Sequence, residues 1–211
     1  MKIIQPNVEV LYITPNALDI IEKAGRQCWK SDINQDNQID FIQRLIKLEH
    51  LTPIEFADII CKITCSRACS HQLVRHRLLS ICQESQRYCN YSKEKFGRDI
   101  KFIKPIVDYD KKNNQPIYLQ NSPYKLWELS CIKSELAYFD LINHGCKAEI
   151  SRYVLNESVA TELQFKCNFR ELLHILKLRT SPKAQAEIRY LIINLQSQIE
   201  SQEYSCITSN L

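Results

Sequence analysis

With only three glycines and seven prolines in 211 residues, the chain has no glycine- or proline-rich linker, which argues against loosely tethered domains. No segment repeats at a fixed period, so a solenoid or propeller is excluded. The opening Met1-Lys2-Ile3-Ile4-Gln5-Pro6-Asn7 leads into no secretory hydrophobic stretch, and no apolar run is long enough to cross a membrane. A cytoplasmic location and no membrane partner are therefore expected. Ten cysteines are present, but none forms a Cys-x-x-Cys pair, so Cys61, Cys65, Cys69 and His71 are not read as a zinc site. No metal is expected, and the thiols read as reduced, small apolar side chains. A chain of this length, with 45% hydrophobic and 25% charged residues, reads as a single domain over residues 1–211.

What the chain does have is a focused positive segment. Its net charge is +4, and between Cys61 and Ser92 five cations (Lys62, Arg67, Arg75, Arg77, Arg87) face one acid, Glu84. That segment alone carries an excess equal to the whole chain's, and a localised patch of this kind steers small anions or nucleic acid. Within it, Arg75 to Tyr88 packs three arginines, one histidine and two serines into fourteen positions. Neither a solvated helix face nor a packed core selects so many donors. Residues two apart point to nearly opposite sides of a helix. Arg75 and Arg77 therefore share one phosphate only if the helix ends between them; otherwise they hold two different anions. Either arrangement suits more than one phosphorylated ligand, because arginine offers a planar fork to phosphate oxygens. Leu78, Leu79, Ile81 and Tyr88 argue against a plain surface charge run.

Periodicity supplies the frame. A β-like run, Val8 to Ile13, precedes an amphipathic helix from Asn16 to about Ala24; the segment Gly25 to Ser31 follows, then a polar loop through Asn37. A second helix from Ile39 to Glu49 puts Ile39, Ile42, Leu45 and Ile46 on one side. In the turn His50-Leu51-Thr52-Pro53-Ile54-Glu55, Pro53 is expected to hold Thr52 out of helical geometry, as a hydroxyl reaching a ligand requires. A strand from Phe56 to Cys65 leads to a helix capped by Ser66, which delivers the arginines at its end. Ile100 to Ile106 reads as a strand, followed by a loop to Pro123. The helix from Tyr124 to Asn143 places Leu126, Leu129, Ile132, Leu136 and Phe139 at core spacing, and Gly145 closes it. A helix carrying Glu149, Arg152 and Leu155 comes next, then a cleanly alternating strand from Val159 to Cys167. Asn168 caps a further helix, with Glu171 as a box-like partner. Its Phe169, Leu172, Leu173 and Leu176 read as buried; Arg170, His174 and Lys177 form a polar face. Ser181-Pro182 reads as the start of the last helix, where an anion would meet Arg179 and a helix N-terminus together. The tail after Ser201 reads as frayed. Strands buried on one side among helices give an α+β class, an antiparallel sheet flanked by helices.

Arg75-His76-Arg77, seven residues, then Ser85, continuing into Arg87-Tyr88, resembles the signature of the flavin-dependent thymidylate synthases. The His-x-Thr-Pro-x-Glu turn at His50 to Glu55 and the Arg-x-Val-Leu run at Arg152 are similar to further elements of that family. The chain departs from the family at Cys82 (usually Asn), Gln83 (Glu), Asn156 (Pro), His174 (Asn) and Cys28 (a small hydroxyl residue). The resemblance implies a methyltransferase of dTMP biosynthesis. It would convert dUMP to dTMP with methylenetetrahydrofolate as carbon donor and FAD, reduced by NADPH, as hydride donor. It further implies a homotetramer with shared flavin sites. Carried over residue by residue, it places FAD against Thr52, Arg75, His76, Arg77, Gln83, Asn168, Arg170 and His174. It places dUMP against Gln72, Arg75, Gln83, Glu84, Ser85, Gln86, Arg87, Arg152 and Arg179. It also makes Arg179 catalytic, its charge favouring the N3-deprotonated pyrimidine. Because Gln is a near-isostere of Glu, Gln83→Glu is expected to be tolerated.

Two other readings compete. Ser80 and Ser85 have arginines nearby but no readable Ser-His-acid arrangement, so both are assigned to ligand hydrogen bonding and not to covalent catalysis. A basic RNA- or DNA-binding module stacking bases on Tyr88 and Tyr91 is the alternative from another class. An overall charge of +4 is weak for a phosphate-backbone binder, so no nucleic acid is expected. A flavoprotein that keeps FAD without methyl transfer is the third.

Overall fold

Strict alternation builds the two longest strands. In Asp58–Ser66, residues Ile59, Cys61, Ile63 and Cys65 are fully buried, and in Ala160–Asn168 the buried Thr161, Leu163, Phe165 and Cys167 alternate with exposed Glu162, Gln164 and Lys166. The computed structural model describes residues 1–31, 37–110, 112–113 and 115–208. In chain order the elements begin with β1 (Lys2–Ile4), β2 (Asn7–Ile13), α1 (Ala17–Trp29), α2 (Gln38–Lys47), β3 (Asp58–Ser66) and α3 (Arg67–Leu73). There follow β4 (Ser80–Gln83), β5 (Lys101–Ile103), β6 (Ile106–Asp110), β7 (Gln115–Tyr118), α4 (Asn121–Asn143) and α5 (Ala148–Ser151). The chain closes with β8 (Ala160–Asn168), α6 (Phe169–Arg179), α7 (Ala186–Ile199) and α8 (Ser205–Thr208). The α+β class is as expected.

Four strands form one sheet in the order β2-β3-β8-β4. Arg67 N donates to Val159 O at one end of the β3–β8 pair and Phe169 N to Ala57 O at the other, so the two strands run antiparallel. Two smaller sheets stand apart from it. β1 pairs with β5 in parallel, so not all the strands are antiparallel; β6 and β7 form an antiparallel hairpin. The expected strand from Ile100 to Ile106 is divided because Pro105, between β5 and β6, has no N–H to give to a ladder.

The chain divides into two compact units. The first comprises Met1–Asn7, Ile63–Arg75 and Cys82–Leu163; the second comprises Val8–Lys62, His76–Ile81 and Gln164–Leu211. A cluster of Tyr91, Ile100, Phe102, Cys131, Tyr138 and Val159 is the core of the first. Helix α4 faces that core with Cys131, Ser134 and Tyr138, and leaves Leu126 70%, Leu129 47%, Ile132 38% and Leu136 58% exposed. The expectation that those four are core residues is therefore wrong. The buried face carries a serine and a tyrosine whose polar atoms are used: Ser134 Oγ donates to Val154 O at 2.6 Å, and Tyr138 Oη accepts from Tyr91 N at 3.2 Å.

In the second unit, α1 and α2 pack together, as do α6 and α7. Helix α1 continues through Gly25 to Trp29, past the expected end at Ala24. Gly25 lets α2 pack closely there, since a Cβ would lie 2.9 Å from both Leu45 Cδ1 and Phe41 Cε1 of α2 and those side chains would have to shift to admit it. Of the loop expected through Asn37, residues 32–36 lie outside the described residues. In α2 the buried side chains are Phe41, Ile42 and Leu45, whereas Ile39 is exposed. The last long helix begins at Ala186, not at Ser181-Pro182, which form a turn closed by Ala184 N on Ser181 O. The helix N-terminus expected at Ser181, just after Arg179, therefore lies at Ala186 instead. The tail is ordered through α8, where Cys206, Ile207 and Thr208 are buried; residues 209–211 lie outside the described residues.

Candidate active site

In the second unit, α6 presents its polar face to a cavity of about 1050 Å3. Asn168, Arg170, Glu171, His174 and Lys177 line one wall, with Lys47, Glu49, Leu51, Glu55, Leu78 and Ile207 completing it. Asn168 starts the helix by accepting Glu171 N on Oδ1 at 2.9 Å. The expected return of the Glu171 side chain to the cap is replaced by another contact. The carboxylate is buried and its Oε1 lies 3.4 Å from His76 Nδ1. Burial pushes this carboxyl above its ordinary range, and His174 pulls the other way.

His76 is itself buried, and on its other side Nε2 accepts from Arg179 Nε at 3.0 Å. Arginine offers no acceptor, so Nε2 carries no proton and the neutral ring holds its hydrogen on Nδ1, toward Glu171. Three causes lower the His76 pKa from 6.5 to about 4: burial first, then Arg179, then His174, whose ring meets that of His76 edge-on at 5.8 Å. Glu171, His76 and Arg179 thus form one line of contacts, with His174 beside it. His76, Glu171 and His174 also bring their ligand atoms within 4.8 Å of one another.

The other residues expected at the flavin divide. Arg170 Nη1 donates to Glu55 Oε1 at 2.6 Å in an exposed pair, worth at most about 1 kcal/mol, so the guanidinium is aimed without being locked. Thr52 is exposed but helical, at φ −57°, ψ −45°. Pro53 does not keep it extended, because a 3-10 turn closes over it: Ile54 N donates to Leu51 O and Glu55 N to Thr52 O. Arg77 is exposed in the second unit; Arg75 and Gln83 belong to the first.

The first unit holds every residue expected at the nucleotide except Arg179. Ser66 Oγ caps α3 through Cys69 N at 3.1 Å, and the helix ends at Leu73, two residues before Arg75, which is exposed. Gln72 is half-buried on that helix. Gln83 does not present its amide nitrogen outward; Nε2 donates to Ser70 Oγ at 3.0 Å and Thr161 Oγ1 at 3.2 Å. Glu84 accepts Tyr91 Oη at 2.9 Å, and its carbonyl accepts Arg67 Nη2 at 3.0 Å. Ser85 O closes the following turn by accepting Tyr88 N and Cys89 N. Glu149 gathers two of the expected arginines: Arg87 Nε lies 3.7 Å from its carboxylate and Arg152 Nε donates to its carbonyl at 3.2 Å. The Gln86 amide nitrogen is buried with no protein partner among the described residues, a donor ready for a ligand.

Sequence reasoning missed Glu171, Glu55, Ser70, Thr161 and Glu149 as members of these sites. Only Glu171 had a local signal, standing one helical turn before His174 on the same face. The thiols stay outside this chemistry: none of the ten cysteines is in a disulfide, and burial pushes Cys61 up to about 12.

The chain matches the family model described as thymidylate synthase complementing protein over residues 9–202. It is 30% identical over 197 residues to a flavin-dependent thymidylate synthase of Geobacter sulfurreducens, covering 89% of this chain and 79% of that protein. A Pyrococcus horikoshii protein of the same name is 32% identical over 201 residues, covering 91% of this chain and 78% of its own length. Among solved structures, a UMP/dUMP methylase from Streptomyces cacaoi bound with 5-Br dUMP superposes with a TM-score of 0.76 at 20% identity. That match covers 99% of this chain and 97% of the other. At that identity the likeness bears on the fold alone.

Proposed function

This chain belongs to the thymidylate synthase complementing protein family and is an enzyme of its methyl-transferring kind; on that premise we propose that it converts dUMP to dTMP. The observation that carries the reading is the second unit's cavity. Asn168, Arg170 and His174 line it, and Glu171 on the same wall leads to His76 and Arg179. All of these but Glu171 are residues that family likeness assigns to flavin and to catalysis.

The donor set fits FAD. Arg170, Lys177 and Lys47 offer cations for its pyrophosphate, and Leu51, Leu78, Leu173 and Ile207 offer apolar surface for its ring, in a volume at the top of the range for small-molecule sites. FAD, reduced by NADPH, supplies the hydride, and methylenetetrahydrofolate supplies the carbon. The protein's own part is to bind, orient and polarise. Arg179 sets a positive charge beside the pyrimidine, favouring the N3-deprotonated form and enriching C5 in electrons. Neutral His76 accepts from Arg179 and so fixes where that charge lies. Gln72, Arg75, Gln83, Glu84, Ser85, Gln86, Arg87 and Arg152 form the nucleotide set. In this reading one functional domain spans residues 1–211, acts in the cytoplasm, and assembles as a homotetramer with shared sites.

The test is FAD titration followed by tritium release from C5-labelled dUMP in the presence of NADPH and methylenetetrahydrofolate. Flavin fluorescence should change on binding, the melting temperature should rise, and tritium should be released. Arg179→Ala should lower turnover by more than it weakens nucleotide affinity, with FAD retained. A protein that neither shifts flavin fluorescence nor gains melting temperature from FAD overturns the proposal.

A further inference from the structure

The Glu171 carboxylate is in an expensive place. It is buried, burial pushes its pKa up, and it stands in the first turn of α6, where Asn168 already caps the Glu171 N–H. A capping role for this side chain would send it back to the N-cap backbone. Instead Oε1 lies 3.4 Å from His76 Nδ1, and His76 Nε2 accepts Arg179 Nε at 3.0 Å.

We infer that Glu171 is a positioning residue for Arg179, acting through the tautomer of His76. The carboxylate accepts only, so it holds the ring hydrogen on Nδ1 and keeps the Nε2 lone pair open for the arginine. Without it, the neutral ring is free to place its hydrogen on Nε2. Two N–H groups then face each other across the 3.0 Å contact, and Arg179 is displaced. No proton moves during this action; the chain sets a direction and leaves the charge of Arg179 unchanged. Other charged and titratable groups around the ring do not replace Glu171. His174 meets the ring edge-on and lowers its pKa, as Arg179 does, so both oppose a protonated His76; Arg179 favours the Nδ1–H tautomer only while it stays in place, whereas Glu171 holds that tautomer whether or not the arginine is seated. The inference rests on the proposed role of Arg179 for its effect on turnover, but not for the tautomer itself.

Two measurements separate these. Nitrogen-15 shifts of the imidazole, assigned by their loss in His76→Gln, should show the Nδ1–H tautomer in the wild-type protein and a mixture in Glu171→Ala. Glu171→Gln keeps an acceptor of the same reach in its amide carbonyl, so it should restore the single tautomer. Turnover of C5-labelled dUMP should fall about 10–100-fold in Glu171→Ala and recover most of that in Glu171→Gln, with KM for dUMP changed far less than kcat. A wild-type Nε2–H tautomer, or one unchanged in Glu171→Ala, overturns the inference. So does an equal loss of turnover in Glu171→Gln and Glu171→Ala. If the wild-type protein transfers no methyl group, the proposed function fails while the nitrogen shifts still decide this one.

Discussion

Gln83 spends its amide nitrogen on two hydroxyls at once, and the direction of the bond to Ser70 is fixed by a third. Ser70 Oγ donates to Arg67 O at 2.9 Å, so it can only accept from residue 83. A carboxylate there would face lone pairs unless Ser70 gave up Arg67 O. The expectation that Gln83→Glu is tolerated, drawn from size alone, is thereby reversed: the change is expected to cost about 1–3 kcal/mol, the range for a polar group left without its partner. Chemical denaturation of the two proteins at pH 7 checks this, and equal stabilities would show that Ser70 reorients freely. His76 gives a pH dependence of definite sign. Its pKa falls from 6.5 to about 4 on folding, so the unfolded chain takes up a proton before the folded one does. Stability is complete above 6.5 and is lost as pH falls toward about 4. Glu171, raised by burial, works in the opposite sense, so comparison with His76→Gln isolates the histidine. The melting temperature of the wild-type protein should drop more steeply across that window than that of the variant. Asn168 as a cap and the polar face of Arg170 and His174 were legible in the sequence, because helical spacing is a local property. The turn of Glu171 toward His76, ninety-five positions away in the chain, was not, since nothing local to α6 encodes what lies across from it.

Among the elements, α1 and α2 show the limit of reading by residue type. A glycine followed by Arg26 and Gln27 looks like the end of a helix, and here it is where two helices come closest. The Phe41 ring is also covered by the Arg26 guanidinium, 4.3 Å from the ring centre. Gly25→Val should therefore lower stability by about 1–3 kcal/mol through overpacking. Gly25→Ala should be nearly neutral, its helix-propensity gain of about 1 kcal/mol offsetting a smaller clash. Thermal melts of both variants test this; a stabilised Gly25→Val protein would mean that α2 yields. β3, β8 and α6 were legible for the converse reason. Their alternation or stripe is strong, and one face is buried along its whole length. Helix α4 misled because its apolar stripe is real but points to solvent, while Cys131, Ser134 and Tyr138 take the inside.

At the scale of the whole molecule, that exposed stripe of Leu126, Leu129, Ile132 and Leu136 is the surface a self-associating chain would cover. Light scattering should give a mass near four times the 24.8 kDa chain. Leu129→Lys combined with Leu136→Lys should shift it to smaller species, and a wild-type mass of one chain would remove the tetramer. The α+β class followed from strand alternation among helices, but the division into two units was hidden, because each is assembled from three separate stretches. That arrangement sets an order of events on the ribosome. Val8–Lys62 is made early, yet its unit also needs Gln164–Leu211, which is synthesised after every other stretch of the two units. At about 5–20 residues per second, α1 and α2 wait about 8–30 seconds for α6 and α7 to be completed. The first unit, by contrast, has all its parts once Leu163 emerges. The nascent protein thus has every stretch of the unit that carries most of the proposed nucleotide-binding residues before the wall of the proposed flavin cavity has left the exit tunnel.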